Sequence, residues 1–455
     1  MYSDSLNPFE KRTAMSLALV FSLRMLGLFM IMPVFAIYGQ HLTGYSPLWV
    51  GFAIGAYGLT QALLQIPAGW LSDKWGRRPV IYAGLLLFAL GSLVAAFSDS
   101  IYGVTLGRAL QGTGAIASAI LALAADVTRE QQRSKAMGMI GVSIGLAFAL
   151  SMVAGPVLAP FIGLQGLFLI TAAGALVGMG IVRFLVPNTI NKAPRGETIA
   201  IPSMIKTLIK QPQLLRLNLG IFVLHLSLTA TFVTLPLQLQ TLHLAAAQHW
   251  KIYLPALLIS FLLMIPMLIM ASKKQRNKHF YLFSIALLAL SLLALAYTQQ
   301  SISGMFFTIV LFFTAFNFLE ASLPAFISML APAGTKGTAM GIYSSHQFFG
   351  AFFGGILGGL SYKLMGSSGL FLCLAGLMVI WFLLSLGMHN PSKIRTFTFS
   401  ATIEDEQKEV LLSDQLVALQ GALEVVVIAA EQIVYIKANT QIFKQQEAQH
   451  ILGVN

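Results

Sequence analysis

The sequence predicts an all-α polytopic membrane protein made of two six-helix bundles, followed by a small α+β domain outside the bilayer. Three observations carry this. Hydrophobic residues make up 57% of the 455 and charged residues only 10%, with a mean hydropathy of +0.79; a soluble domain carries roughly a quarter charged residues. Twelve apolar stretches are each long enough to cross about 30 Å of hydrocarbon. After Asn390-Pro391 the composition changes abruptly to mixed polar and apolar sequence.

The net charge of +12 is unevenly placed. Residues 1–392 hold 23 Lys+Arg against 8 Asp+Glu, and residues 393–455 hold 5 against 8. The positive excess lies in short loops between spans, where it sets topology, so a nucleic-acid partner is excluded. Cys373 is the single cysteine. It forms no intramolecular disulfide, and neither a metal nor a cofactor is expected.

The first six spans are expected near 14–38, 48–71, 79–98, 101–126, 135–163 and 165–187. The second six fall near 215–240, 250–272, 279–298, 302–331, 338–362 and 367–388. Lys74, Arg77, Arg78, Arg129, Arg133, Lys135, Lys273, Lys274, Arg276, Lys278 and Lys336 all fall on one set of alternate turns, leaving Lys251 and Lys363 on the other. Both termini are therefore expected in the cytoplasm. Domain boundaries follow: 1–187 for the first bundle, 188–213 for a linker, 214–392 for the second bundle and 393–455 for the tail. Within the linker, Met204–Leu217 alternates Lys206, Lys210 and Arg216 with leucines and isoleucines, which suits either a helix on the membrane surface or a solvated linker. Ala-Met-Gly opens span 5 at 136 and span 11 at 339, as a parallel repeat of two bundles would leave it.

The segment Gly69-Trp70-Leu71-Ser72-Asp73-Lys74-Trp75-Gly76-Arg77-Arg78 joins spans 2 and 3. Gly69 allows close helix approach and Gly76 a turn, while Asp73 is suited to face a helix N-terminus. The pattern resembles the loop 2–3 signature of the major facilitator superfamily. That resemblance implies alternating access and a cytoplasmic latch, with Asp73 facing span 11 and Arg77 pairing with Asp126. A loop that only sets topology is the alternative. In span 4, Arg108 precedes Gln111-Gly112, similar to a signature of the family's proton-coupled exporters. The resemblance implies a role for Arg108 in proton coupling; an arginine that braces the bundle through backbone carbonyls is the other reading. Gly145, Gly155 and Pro156 in span 5 partly match the antiporter signature, with Ser151 where a glycine is expected.

Arg24, His225 and Glu320 lie at similar depths in spans 1, 7 and 10, roughly 14–18 Å from the inner ends at 1.5 Å per residue. These spans line the cavity in the resembled family, so the three residues are read as a protonatable cluster with Glu320 as proton carrier and His225 second. A static buried network is the alternative. Asn317 and Thr229 stand one turn from Glu320 and His225 on their helical faces. Tyr57, Gln61 and Gln65 recur every four residues along span 2 and are read as lining the cavity.

In the tail, Phe397, Phe399 and Ala401 alternate as a strand does. Glu404–Gln420 suits a helix with Val410, Leu411, Leu416 and Val417 inside, ended by Gly421. Strands at Leu423–Ala429 and Gln432–Ala438 and a helix at Ile442–Leu452 complete a βαββα order, which fits a ferredoxin-like domain. Without Cys-x-x-Cys it is not expected to bind soft metals. A facilitator with this appendage resembles a group of bacterial drug:proton antiporters. The expectation is thus a multi-pass protein of the bacterial inner membrane that exports small amphipathic molecules against protons. A symporter or uniporter for a polar metabolite, or a non-transporting sensor, are the alternatives; an enzyme is excluded by the absence of any nucleophile–base constellation. The expected partners are the lipid bilayer, protons and a small-molecule substrate, with residues 393–455 available for regulatory or dimer contacts.

Overall fold

The computed structural model describes residues 6–129, 132–187, 202–332, 334–389, 394–401, 403, 406–429 and 432–453. It contains ten helices long and apolar enough to cross a membrane among these residues. Two of them, Arg133–Phe184 and Lys336–Ser385, run for 52 and 50 residues, about twice the length a single crossing needs. Each breaks at one glycine with positive φ: Gly163 (φ 62°, ψ −173°) and Gly366 (φ 67°, ψ −170°). Only glycine adopts this backbone without strain, so each long helix is two spans and the total is twelve. The two breaks lie 203 residues apart, the same offset as the Ala-Met-Gly repeat.

Span 1 is Pro8–Phe29 continued by Met32–Tyr38, span 2 Pro47–Trp75 and span 3 Arg77–Ala96. Span 4 is Ile101–Thr113 continued by Ala117–Val127, and spans 5 and 6 share Arg133–Phe184. Spans 7 to 10 are Pro212–Thr241, Trp250–Lys273, Asn277–Thr298 and Ile302–Leu330, and spans 11 and 12 share Lys336–Ser385. Spans 1 and 4 were expected to be continuous and are not. Pro33 lacks the amide needed to continue span 1, and at Gly114 the backbone leaves the helix. The linker also differs from expectation. A short helix at Pro202–Ile209 ends before Gln211, whose extended backbone (φ −71°, ψ 118°) leads into Pro212, the first residue of span 7; Pro disfavours helix in the residue before it. Leu208 of this short helix is buried against the second bundle. The rest of the linker, 188–201, lies outside the described residues.

The halves meet on the side away from the chain termini. Span 11 carries two glycine stripes. Gly350, Gly354 and Gly358 press on the span 7 backbone at Phe222, Leu226 and Ala230, while Gly355 and Gly359 press on Gly51 and Pro47 of span 2. A Cβ at any of these five would collide with backbone, so the sequence of small residues sets the approach. Phe52 and Phe352 close over the seam with ring centroids 6.1 Å apart.

The tail is a three-stranded antiparallel sheet of order β1-β3-β2, with β1 Ile394–Ser400, β2 Ala422–Ile428 and β3 Ile433–Asn439. Helices α1 (Glu406–Val417) and α2 (Gln445–Leu452) complete the βαββα order. Phe397 pairs with Ile436 and Phe399 with Val434. The helix register is corrected: Leu412 and Leu416 enter the core, one turn apart on one face, while Val410, Leu411 and Val417 are exposed. Gly421 (φ 90°) sits beyond the helix end and forms the turn into β2.

The open face of this sheet rests on the loop between spans 10 and 11. Tyr435 is fully buried, with its ring and Ile428 against Gly334. Lys437 Nζ donates to the carbonyls of Leu330 and Ala331, both at 3.1 Å. These are end-of-helix carbonyls without helical partners, and a cation there is favoured. Burial pushes the Lys437 ammonium below its ordinary pKa, and nearby Glu424 pulls it back up. Replacing Lys437 with Met is expected to weaken docking by about 1–3 kcal/mol. Hydrogen–deuterium exchange would show it as faster exchange in the span 10–11 loop and along β3, with the bundle spans unchanged.

Candidate functional site

Each half holds a polar centre at mid-depth, and the loop between spans 2 and 3 holds an ionic one at the terminal side.

In the loop, Gly76 (φ 99°) makes the turn and Gly69 lies against Ser118 of span 4. Arg77 Nε donates to Asp126 Oδ2 at 2.9 Å and its Nη1 to Ser72 Oγ at 3.1 Å. The Asp73 carboxylate lies 3.7 Å from Arg77, one turn away. The expected Arg77–Asp126 pair is present and buried on both sides. Arg78 reaches across to the end of span 6, donating to Val182 O at 2.8 Å and Arg183 O at 3.2 Å. Lys278, 200 residues later, caps span 12 in the same way through Leu386 O at 2.7 Å. A neighbouring clamp was not foreseen. Glu10 is buried and accepts from Arg129 Nε at 2.8 Å and Nη2 at 2.9 Å, from the Arg129 amide at 2.9 Å and from the Asn7 amide at 2.9 Å. Asn7 and Glu10 together form a capping box, which is legible in sequence; the partner three spans away is not.

The first-half centre gathers Arg24, Tyr57, Gln61, Gln65 and Arg108. Arg24 Nη2 donates to Gln61 Oε1 at 2.6 Å, and Gln61 Nε2 donates to Gln65 Oε1 at 2.6 Å. The Arg24 guanidinium lies over the Tyr57 and Phe88 rings at 5.6 and 5.5 Å, a cation–π arrangement. Arg108 donates to the Ala53 and Ile54 carbonyls at 3.4 Å and to Gln111 Oε1 at 3.0 Å, so here it braces span 4 to span 2. The Tyr57, Gln61, Gln65 stripe is buried against this network rather than open to solvent.

The second-half centre is a three-helix triad. His225 Nε2 lies 3.0 Å from Glu320 Oε2, and Gln347 Nε2 lies 3.0 Å from Glu320 Oε1 and 2.8 Å from His225 Nε2. The Glu320 side chain is 36% exposed and that of His225 12%. The expected trio is therefore split. Glu320 and His225 meet, whereas Arg24 bonds within its own half and makes no ion pair with Glu320. Asn317 turns away and donates to Ser260 of span 8 at 2.9 Å, and the buried Thr229 hydroxyl makes no hydrogen bond. Gln347 was missed because a single glutamine among glycines and phenylalanines has no period to mark it.

In span 5, Gly155 packs on the Met30 carbonyl and Pro33 of span 1, and Ser151 Oγ donates to Leu26 O at 3.2 Å. Gly145 has open space where a Cβ would sit; it makes no close packing here, contrary to the expectation for that motif. Pro156 lies within the helix. No cluster of three or more metal-ligating residues occurs among the described residues.

The sequence profile of the Major Facilitator Superfamily matches residues 17–275 and 217–416. The chain belongs to the Major Facilitator Superfamily. It is 41% identical over 452 residues to the inner membrane transport protein YajR of Escherichia coli K12, covering 99% of each chain. It is 27% identical to multidrug resistance protein 2 of Bacillus subtilis 168, over 74% of this chain and 86% of that one. A bacterial homologue of the human lysosomal transporter Spinster, solved inward-facing and unoccupied, superposes with a TM-score of 0.67 at 13% identity, covering 84% of this chain and 98% of that one. The family's proteins are transporters and not enzymes, and this chain is a multi-pass membrane transporter of the YajR type.

Arg77→Ala removes one side of a buried ion pair, which costs about 3–5 kcal/mol, whereas Arg78→Ala removes only a helix-end contact of about 0.3–1 kcal/mol. Thermal melts in detergent should therefore drop far more for Arg77→Ala than for Arg78→Ala.

Proposed function

We propose that the protein is a proton-coupled antiporter of the inner membrane that exports small amphipathic molecules by alternating access. The observation that carries this is the His225–Glu320 pair. A carboxylate at mid-depth in a bilayer is costly and is retained where it serves an ion pathway, and this one is reached by solvent while the opposite centre in the first half is sealed. Glu320 takes up the proton and His225 is its partner.

The remaining groups divide the work of the conformational cycle. The span 2–span 11 glycine seam closes the side away from the termini. The terminal side carries the cations of the short loops and is the cytoplasmic one. In the alternate state Asp73 caps the N-terminus of span 11 at Thr338, where its charge is favoured by the helix dipole, with Arg77 and Asp126 holding its loop in shape. The likeness to multidrug resistance protein 2 over most of the chain supports export as the direction.

Proteoliposomes containing a pH dye and challenged with cationic amphiphiles and sugars test the reading. Substrate-triggered proton movement is expected for cationic amphiphiles, directed opposite to substrate, and Glu320→Gln is expected to abolish it. Undiminished proton movement in Glu320→Gln would remove Glu320 from the mechanism, and movement in the same direction as a sugar would make the protein a symporter.

A further inference from the structure

We propose that Gln347 reads the proton shared by Glu320 and His225 and passes its state to span 11. The inference rests on that pair being the proton site. Its argument is one of donors and acceptors.

The Gln347 amide nitrogen carries two N–H groups and no lone pair to accept with. It spends them on Glu320 Oε1 at 3.0 Å and His225 Nε2 at 2.8 Å. The second bond needs Nε2 to be without a proton, which places the ring proton on Nδ1. Glu320 Oε2 then faces a bare Nε2 at 3.0 Å. Two lone pairs at that distance repel, so the contact is favourable when the carboxyl is protonated and donates. The arrangement therefore holds the proton on Glu320.

Moving the proton breaks this pattern. The Oε2–H bond breaks and an Nε2–H bond forms, giving a carboxylate and an imidazolium with no other reactant. Nε2–H now points at the Gln347 N–H groups, and two donors cannot share one line. The amide must turn its carbonyl toward the ring or withdraw. Tyr343, one turn earlier on span 11, is the other titratable group in electrostatic reach of Glu320. The remaining charged or titratable groups on the packed helices are Arg216, Lys251, Lys273 and Lys336 near helix ends, and His346, whose Nδ1 donates to Ile342 O at 2.8 Å.

Gln347 is well placed to make that turn count. It stands one turn before Gly350, where the span 11 glycine stripes begin to press on spans 7 and 2. Any shift of span 11 at Gln347 is felt along the contact that joins the two halves. Gln347 is thus a positioning residue: it touches the proton-bearing groups but carries no proton itself.

Infrared titration of the full-length protein in lipid, from about pH 5 to about pH 9, follows the protonated Glu320 carboxyl as a band absent from Glu320→Gln. Gln347→Met keeps the side-chain length and removes both N–H groups. It is expected to lower the midpoint of that band by about one pH unit, as the proton passes more readily to His225. Spin labels at Lys74→Cys and Lys336→Cys, in a Cys373→Ala background, follow the terminal ends of spans 2 and 11. Their separation is expected to change with pH when Gln347 is present and to stay fixed in Gln347→Met. An unchanged midpoint, or a pH-dependent separation that survives in Gln347→Met, overturns the proposal while leaving the proton site intact. A wild-type spectrum with no Glu320-dependent band overturns both.

Discussion

Span 11 touches two other helices through its backbone, and the rest of the transporter is arranged around that contact. Gly350, Gly354 and Gly358 recur every four residues and face span 7, while Gly355 and Gly359 form a second stripe facing span 2. In hydrocarbon, helices gain little from burying apolar side chains, since lipid is as apolar as leucine; close packing supplies the attraction. Glycine stripes bring many atoms into contact at once but leave no side chain to lock the surfaces. Such a seam can be firm and still slide or part, which a machine that opens alternately on two sides requires.

The two halves repeat each other in geometry more than in residues. Gly163 and Gly366 break their helices with nearly the same angles. Arg78 and Lys278 cap the last spans of their halves from equivalent places. At the end of span 4 the repeat places Asp126, paired with Arg77; at the equivalent end of span 10 it places Leu330, whose carbonyl and that of Ala331 are met by Lys437 from the tail. A cation thus attends the end of each of these spans, once from the neighbouring loop and once from an appended domain.

Much of this was legible in the residues. Hydropathy located the crossings and the loop 2–3 glycines and charges located the Arg77–Asp126 pair, because both depend on local pattern. The depth argument brought Glu320 to His225 correctly but also enlisted Arg24, since depth is one coordinate and helix rotation another. Rotation decided that Arg24 faces Gln61 and that Asn317 faces Ser260. The tail's strands were found by alternation, whereas its first helix was misread by part of a turn; on a short amphipathic helix, Val410 and Leu412 are equally apolar, and only the sheet decides which goes inside. Glu10–Arg129 and Lys437 joined distant parts of the chain and left no trace of each other in sequence.

The docking of the tail has a bearing on how the protein is made. Chains emerge from the ribosome N-terminus first, so span 10 ends with two bare carbonyls until the last few dozen residues have been translated. Lys437 and the sheet face around Tyr435 then arrive together and cover them. A prematurely stopped chain would hold all twelve spans and yet present an unfinished surface beside the span 10–11 loop. That surface distinguishes a completed molecule from a truncated one, and a quality-control protease at the membrane could read the difference directly.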